Sequence, residues 1–357
     1  MRPVGNQLNV ARSIDKYFNN GGKLPPDFLG LYALTGEALV NGLARLSGEV
    51  NTGAQTAAFG SMSRFLRLAG DMQDSSRQRQ LISSNTMIWA AAIGGVDVVA
   101  GDSKLGTGRY TGRSGGMVVG AEQIVSADRV VGFALAGASG NWNARGMGTG
   151  LIDSFELAVY GRQSFDALDV TTSFGFGHHW FGVDRTSFQG HGLSADYTGQ
   201  SVAARVETSY KLFDGWRAVA AFQSQRFVGQ GFVEKGSLQD KLALSTGDQS
   251  GVQKRYEFGV RYEDVFRLSN GLQVFMRAQA GLARSDSSDP RVRSGFTSLE
   301  GTAFDIRGAK PLRDALSLSA SLDVPLSASV SIGARVDGEW TRNSRGVNGM
   351  VALRVNW

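Results

Sequence analysis

"VALRVNW", residues 351–357, is the stretch on which the fold turns. In an extended strand successive side chains point to opposite faces, so Val351, Leu353, Val355 and Trp357 share one face while Ala352, Arg354 and Asn356 share the other. A half-buried soluble strand has the same alternation, and one segment does not decide between them. The pattern repeats upstream. Ala328, Val330, Ile332, Ala334, Val336, Gly338 and Trp340 alternate with Ser329, Ser331, Gly333, Arg335, Asp337 and Glu339. Leu316, Leu318, Ala320, Leu322 and Val324 alternate with three serines and Asp323, and Leu272, Val274, Met276, Ala278 and Ala280 with Gln273, Arg277 and Gln279. Tyr256, Phe258, Val260 and Tyr262 oppose Arg255, Glu257, Arg261 and Glu263, and Val202, Ala204 and Val206 oppose Ser201, Arg205 and Glu207. Less regular strands are read at 86–101, 115–126, 129–142, 152–164, 168–181 and 215–227, which brings the count to twelve, an even number.

Composition agrees with a large sheet. The chain has 357 residues, and its Gly 48 with only Pro 6 suits long ladders that bend without losing donors. With Cys 0 there is no disulfide framework, thiol nucleophile or zinc finger. Charged residues at 19% and a mean hydropathy of -0.14 look soluble, and no apolar run is long enough for a spanning helix. Window averages are blind to a membrane barrel, because lumen-facing polar residues dilute the lipid-facing ones.

The connections sort by length. "SADR" (126–129), "SFDA" (164–167), "LFDG" (212–215), "RLSN" (267–270) and "VPLS" (324–327) are tight; 102–114, 140–152, 182–196, 228–252 and 284–314 are long, and "TRNSRGVN" (341–348) is intermediate. Tight turns at one end and long loops at the other characterise an outer-membrane barrel, with the tight end periplasmic. Trp89, Trp216 and Trp357 fall at the short-turn ends and Trp142, Trp180 and Trp340 at the long-loop ends, as two interfacial girdles would require. The charged faces weigh against a soluble sandwich, whose core does not hold Arg205, Glu207, Arg255, Glu257, Arg261, Glu263, Arg335, Asp337 and Glu339. The expected fold is an all-β membrane protein: a 12-stranded antiparallel transmembrane β-barrel, apolar outside and polar around its lumen.

Residues 27–80 break the alternation. Apolar residues there recur at helical spacing (Leu39, Leu43, Leu46, Val50, Ala54, Ala57, Ala58), which predicts one helix near 27–46 and a second near 48–69. Thr35 and Ser47 suit N-caps, with Glu37 and Glu49 in the first turns. The second helix is rich in Ala, Gly, Ser and Thr and therefore slim enough to thread a narrow bore.

"LSGE" at 46–49, "TGAQTAAF" at 52–59, "RFLRL" at 64–68, the strand opening "IWAAAIGG" at 88–95 and the terminal aromatic strand together resemble the translocator domain of monomeric autotransporters, the type Va secretion systems of Gram-negative bacteria. The resemblance spans about 46–357. It implies a barrel in the bacterial outer membrane with a linker helix in its pore, inserted by the outer-membrane assembly machinery, through which an N-terminal passenger in cis reaches the surface. It places the assembly signal at Trp357, Val355 and Leu353. The organisation expected is linker or passenger remnant at 1–26, helical linker including the lumen helix at 27–85, and barrel at 86–357. "MRPVGNQLNV" has no signal-peptide core, so the sequence reads as a piece of a longer chain. Some family members carry "EVNN" in the lumen helix and cut themselves after the first Asn; "EVNT" at 49–52 makes Asn51 the candidate here, with Glu207 or Glu257 to polarise it, although Thr52 departs from the pattern. A porin without passenger is the alternative.

Other chemistry is expected to be absent. "GRSGG" at 112–116 matches a nucleophile elbow, but Ser114 lies ahead of a strand rather than at a strand-to-helix turn. "GDSK" at 101–104 sits at a strand end. His178 and His179 are adjacent and face opposite ways, and His191 has no acidic cluster beside it, so neither a metal nor a cofactor is expected. The loop cations Lys104, Arg109, Arg113, Arg145, Arg291, Arg293, Arg342 and Arg345 suit outer-membrane lipid, in particular lipopolysaccharide phosphates. No basic stripe interleaved with aromatics suggests nucleic acid.

Overall fold

The computed structural model describes residues 2–74, 85–236, 241–269 and 271–356. Twelve strands follow one another around a closed sheet: β1 (Thr86–Val99), β2 (Tyr110–Ser126), β3 (Arg129–Ala144), β4 (Gly148–Phe165), β5 (Leu168–Thr186), β6 (Gly192–Phe213), β7 (Trp216–Gly229), β8 (Gln249–Arg267), β9 (Gln273–Ser287), β10 (Asp314–Pro325), β11 (Val330–Trp340) and β12 (Ser344–Asn356). Each is antiparallel to its neighbours, and β12 closes the barrel on β1 from Met87 opposite Asn356 to Val99 opposite Ser344. Closure leaves no edge, so every backbone group at membrane depth has a ladder partner.

The alternation read from the sequence is the alternation of the wall. Val351 and Leu353 face outward while Ala352 and Arg354 are buried inside, and Leu316, Leu318 and Val336 likewise face out. Trp357 lies outside the described residues.

Two expected long loops are short. β3 and β4 run on to a turn at 145–147, and β5 and β6 to one at 187–191. Period two continues there with its polarity inverted. Outward positions become Asn141, Asn143, Asp184 and Asp196, which meet water above the bilayer, while inward positions become Phe181, Val183, Leu193, Ala195 and Tyr197, which are buried. Loss of the outward apolar residues marks the end of the membrane, not the end of the strand. Ser114 accordingly belongs to β2 rather than to a preceding loop.

Above the rim stands a small folded cap. The connections after β7 and β9 supply a four-stranded sheet (Phe232–Val233, Leu244–Thr246, Arg291–Phe296, Phe304–Arg307), and the N-terminal helices pack on it. These are α1 (Gly5–Asn19), a turn of helix at Pro26–Leu29 and α2 (Gly36–Leu46). Val10 and Ile14 of α1 and Leu43 and Leu46 of α2 share a buried cluster with Leu242, Leu244, Phe296, Phe304 and Ile306. α1 also hydrogen-bonds the sheet edge: Asn6 Nδ2 donates to the Arg307 carbonyl at 2.7 Å, the Arg307 N–H returns to Asn6 Oδ1 at 3.0 Å, and Asn9 Nδ2 reaches the Asp305 carbonyl at 2.8 Å. The sequence reading gave residues 1–26 no helix, because its apolar positions acquire a partner only from loops some three hundred residues away. The expected helix at 27–46 is interrupted at 30–35, where a 3-10 turn (Gly30–Ala33) precedes an extended Thr35. Thr35 occupies the N-cap of α2 without a side-chain cap bond, whereas Ser47 ends α2.

Candidate functional site: a helix in a two-faced bore

From the cap the chain turns through a 3-10 segment, Glu49–Thr52, into α3 (Gly53–Asp74), which descends inside the barrel. Gly48 begins this entry with φ 67, a left-handed conformation that glycine adopts without steric cost. The helix enters from the long-loop end, where Trp142 Nε1 donates to the Val50 carbonyl at 2.8 Å. Its other end leads towards the start of β1 at the tight-turn rim.

α3 has two faces, and so does the bore. Met62, Phe65, Leu66 and Ala69 recur at helical spacing and are buried against inward Ala91, Val118, Ala134, Ala136, Ala158 and Ala203. Small inner side chains let the helix lie close to the wall, mainly along β3 to β5. Arg64, Arg67 and Asp71, at i, i+3 and i+7, form the opposite stripe. Arg64 reaches Asp97 at 3.1 Å and donates to Ser114 Oγ at 2.7 Å; Arg67 meets Glu257 at 2.6 Å; Asp71 meets Arg335 at 2.5 Å.

Those contacts join the helix to a network on the wall. Arg205 bridges Glu207 at 2.8 Å and Glu257 at 3.0 Å, and Arg261 holds Glu207 at 2.5 Å. Arg255 bridges Glu257 at 2.5 Å and Glu339 at 2.6 Å, Arg335 holds Asp337 at 2.7 Å, and Glu263 lies 3.5 Å from Arg277. The nine charged residues marked from the sequence therefore lie in one internal ionic girdle. Arg64, Arg67, Asp71 and Asp97 belong to the same girdle and were not marked. Their signal was available in the charge spacing of α3 and the inward parity of Asp97. Between this polar face and the wall of β1, β8, β11 and β12 runs a solvent-open cleft of about 1450 Å³, lined by Gln55, Ser63, Arg64, Asp97, Arg255, Glu339 and Asn348.

A closed barrel of twelve strands whose bore is occupied by a preceding, charge-matched helix narrows the choice, and a family model described as autotransporter beta-domain matches residues 88–337. The chain belongs to the autotransporter beta-domain family. It is an outer-membrane translocator domain, and the bacterial outer membrane is its location. Its fold is similar to the translocator domain of the autotransporter NalP from Neisseria meningitidis, at 14% identity and TM-score 0.69, covering 86% of this chain and 99% of that one. It is also similar to the beta domain of the Bordetella autotransporter BrkA, at 15% identity and TM-score 0.58, covering 76% of this chain and 100% of that one. No curated protein matches the chain in sequence. The matched family consists of transport barrels rather than catalysts.

Two of the expected interface tryptophans in this autotransporter barrel face inward. Trp89 and Trp142 are each 1% exposed. Trp89 Nε1 donates to Tyr160 Oη at 3.0 Å, and its indole lies over Gly120, the position opposite it on β2, where a Cβ would collide with the ring. An indole needs an apolar bed and one acceptor, and the helix-filled bore supplies both. Trp216 and Trp340 face outward at the strand ends, whereas Trp180 faces outward within β5, six residues before its end.

Asn51 is fully buried at the outer mouth, its backbone N–H bonded to Gly48, and its side-chain amide has no hydrogen-bond partner among the described residues. The acids expected to polarise it are elsewhere: Glu257 contacts Arg67, sixteen positions down the chain, which is about 24 Å of helix. The acid closest to Asn51 along the chain is Glu49, two residues before it in the same 3-10 turn, which accepts from Gly108 N at 2.7 Å and Asn6 Nδ2 at 3.1 Å. Burial pushes the Glu49 carboxyl up to about 7, against the opposing effect of those two hydrogen bonds. Ser114, the middle of "GRSGG", accepts from Arg64 and has no imidazole beside it among its hydrogen bonds. His179 sits between Ser154 Oγ and Ser201 Oγ, each at 2.8 Å, inside the wall, whereas His178 lies on the other face against Trp180.

Proposed function

We propose that this domain exports a passenger attached in cis before α1 and then retains α3 as the plug and tether that anchors it at the cell surface. Autotransporter membership implies the passenger. The observation that carries the tether reading is the direction of α3. Its N-terminus lies at the long-loop end beside Trp142 and its charge stripe is paired along the wall, so chain upstream of it emerges outside. A folded epitope fused ahead of Gly5 tests this. Surface protease should remove it from whole cells while the barrel stays intact, and an epitope protected until the outer membrane is breached would end the reading.

The rest of the reading concerns assembly and membrane contacts. Leu353 and Val355, with Trp357, act as the signal read by the barrel assembly machinery, and the outward tryptophans Trp180, Trp216 and Trp340 sit at the lipid interfaces. Rim arginines meet lipopolysaccharide. The domain itself performs no catalysis, and Ser114→Ala leaves export unchanged. Asn51 remains a candidate for self-cleavage, with Glu49 rather than a lumen acid as its neighbour; the intact mass of the folded protein tests it, and a single uncleaved species ends the idea.

A further inference from the structure

We propose that the outward rim at the β12–β1–β2–β3 seam is a binding site for the phosphates of lipopolysaccharide's lipid A, an inference that deepens the lipid contact proposed above and rests on the outer-membrane placement.

Exposed arginines of the upper rim differ in their pairing, and the seam gathers five that have no ion-pair partner among the described residues, while Arg226, Arg293 and Arg307 stand apart from it. On the β9–β10 side three are neutralised: Arg284 pairs with Asp314 at 3.2 Å, Arg291 with Asp305 at 2.7 Å and Arg313 with Asp286 at 3.3 Å. At the seam, Arg109, Arg113, Arg145, Arg342 and Arg345 are all exposed, and none has an ion-pair partner among the described residues. Backbone bonds hold their segments together: the Arg145 N–H donates to the Arg109 carbonyl at 3.1 Å, and the Ala100 N–H to the Asn343 carbonyl at 2.7 Å.

Register sets the spacing. Arg113 lies opposite Val96 and Arg345 opposite Val98, so the two arginines flank β1 on its lipid face, two strand spacings across and two residues along, or roughly 12 Å apart. The depth is that of a headgroup. Trp340, outward and directly opposite Arg345, marks the interface, and below it Val96, Met117 and Val347 present an apolar wall for acyl chains. An arginine in a low-dielectric boundary without a carboxylate needs an anion, and the planar fork matches a phosphate better than the spherical ammonium of lysine does. Two phosphates on one diglucosamine, above several acyl chains, are the outer-leaflet chemistry that meets both the cations and the wall.

The test is Arg113→Gln/Arg345→Gln, compared with Arg284→Gln on the neutralised side, in detergent-purified protein whose folding is checked by heat-dependent gel mobility. Native mass spectrometry with bisphosphorylated lipid A, dephosphorylated lipid A and inorganic phosphate reads the binding. The seam variant should bind bisphosphorylated lipid A about tenfold more weakly than the unaltered protein, and Arg284→Gln should bind it equally. Dephosphorylated lipid A should bind no better than the seam variant does. Equal binding by the seam variant, equal binding of the dephosphorylated lipid, or saturation by inorganic phosphate alone would each overturn the proposal. A seam variant still assembled in the outer membrane with its epitope exported shows that such a failure concerns the lipid site and not the translocator reading.

Discussion

Arg185 and Glu234 form a doubly hydrogen-bonded ion pair, 2.8 and 2.6 Å, with both side chains 1% exposed. Arg185 stands near the end of β5 and Glu234 in the connection after β7, and the same guanidinium donates to the carbonyls of Arg45 and Leu242. One buried cation thus fixes a barrel strand, a surface loop and the C-terminal end of α2. The pair is one of the points at which the cap is fastened to the barrel, beside the ladder of Lys235–Gly236 with Leu193 and Ser194 of β6.

Removing one partner leaves a buried charge without its counter-ion, so Glu234→Ala should loosen the cap by about 3 to 5 kcal/mol. The double change Arg185→Leu/Glu234→Leu should cost much less. Hydrogen exchange of α1 and α2 in the folded barrel checks this, and equal protection in the single and double variants would refute it.

The plug is held by charge order as well as by shape. Reversing Arg67→Glu should repel Glu257 and free the helix within its cleft, raising single-channel conductance in planar bilayers. The exchange Arg67→Glu/Glu257→Arg should recover only part of the closed state, because Glu257 also meets Arg205 and Arg255.

Glu49 gives the cap a pH dependence of defined sign. Its folded carboxyl titrates at about 7 against an ordinary value of 4.5. The folded state therefore binds a proton more tightly than the unfolded one, and its contribution is complete below the ordinary value and lost as pH rises through 7. Protection of α1 from exchange should be greater at pH 5 than at pH 8, and Glu49→Gln should flatten that difference.

Tryptophan orientation is open to direct measurement. In vesicles of brominated lipid, a variant whose only tryptophan is Trp340 should be quenched, and one retaining only Trp142 should not. Quenching of Trp142 would place it on the lipid side and contradict its bond to Val50.

Packing against Trp89 leaves no space at Gly120. Gly120→Val should displace the indole from Tyr160 and destabilise the barrel by about 1 to 3 kcal/mol, seen as a lower temperature for loss of the compact gel form. Gly137→Ala meets open space and should have little effect.

Strand parity was legible in the sequence wherever one face met lipid and the other carried charge, as at Leu316 to Val324 or Tyr256 to Tyr262. It was misread where polarity inverted above the bilayer, at Trp142 to Ile152 and Phe181 to Tyr197, because a window of residues does not reveal which solvent the outer face meets. The girdle acids and arginines were legible for the same reason as the strands, whereas their helical partners Arg64, Arg67 and Asp71 were obscured by a segment read only for slimness.

By itself the sequence determined a twelve-stranded wall, since an alternation of period two with ions on one side has one inexpensive arrangement in a membrane. Only the tertiary structure decided that half of the bore is apolar, that Trp89 and Trp142 point into it, and that the first fifty residues fold as a cap. Those outcomes depend on neighbours hundreds of residues away, as with Asn6 and Arg307 or Arg185 and Glu234, and local periodicity carries no record of which distant surface a side chain will meet.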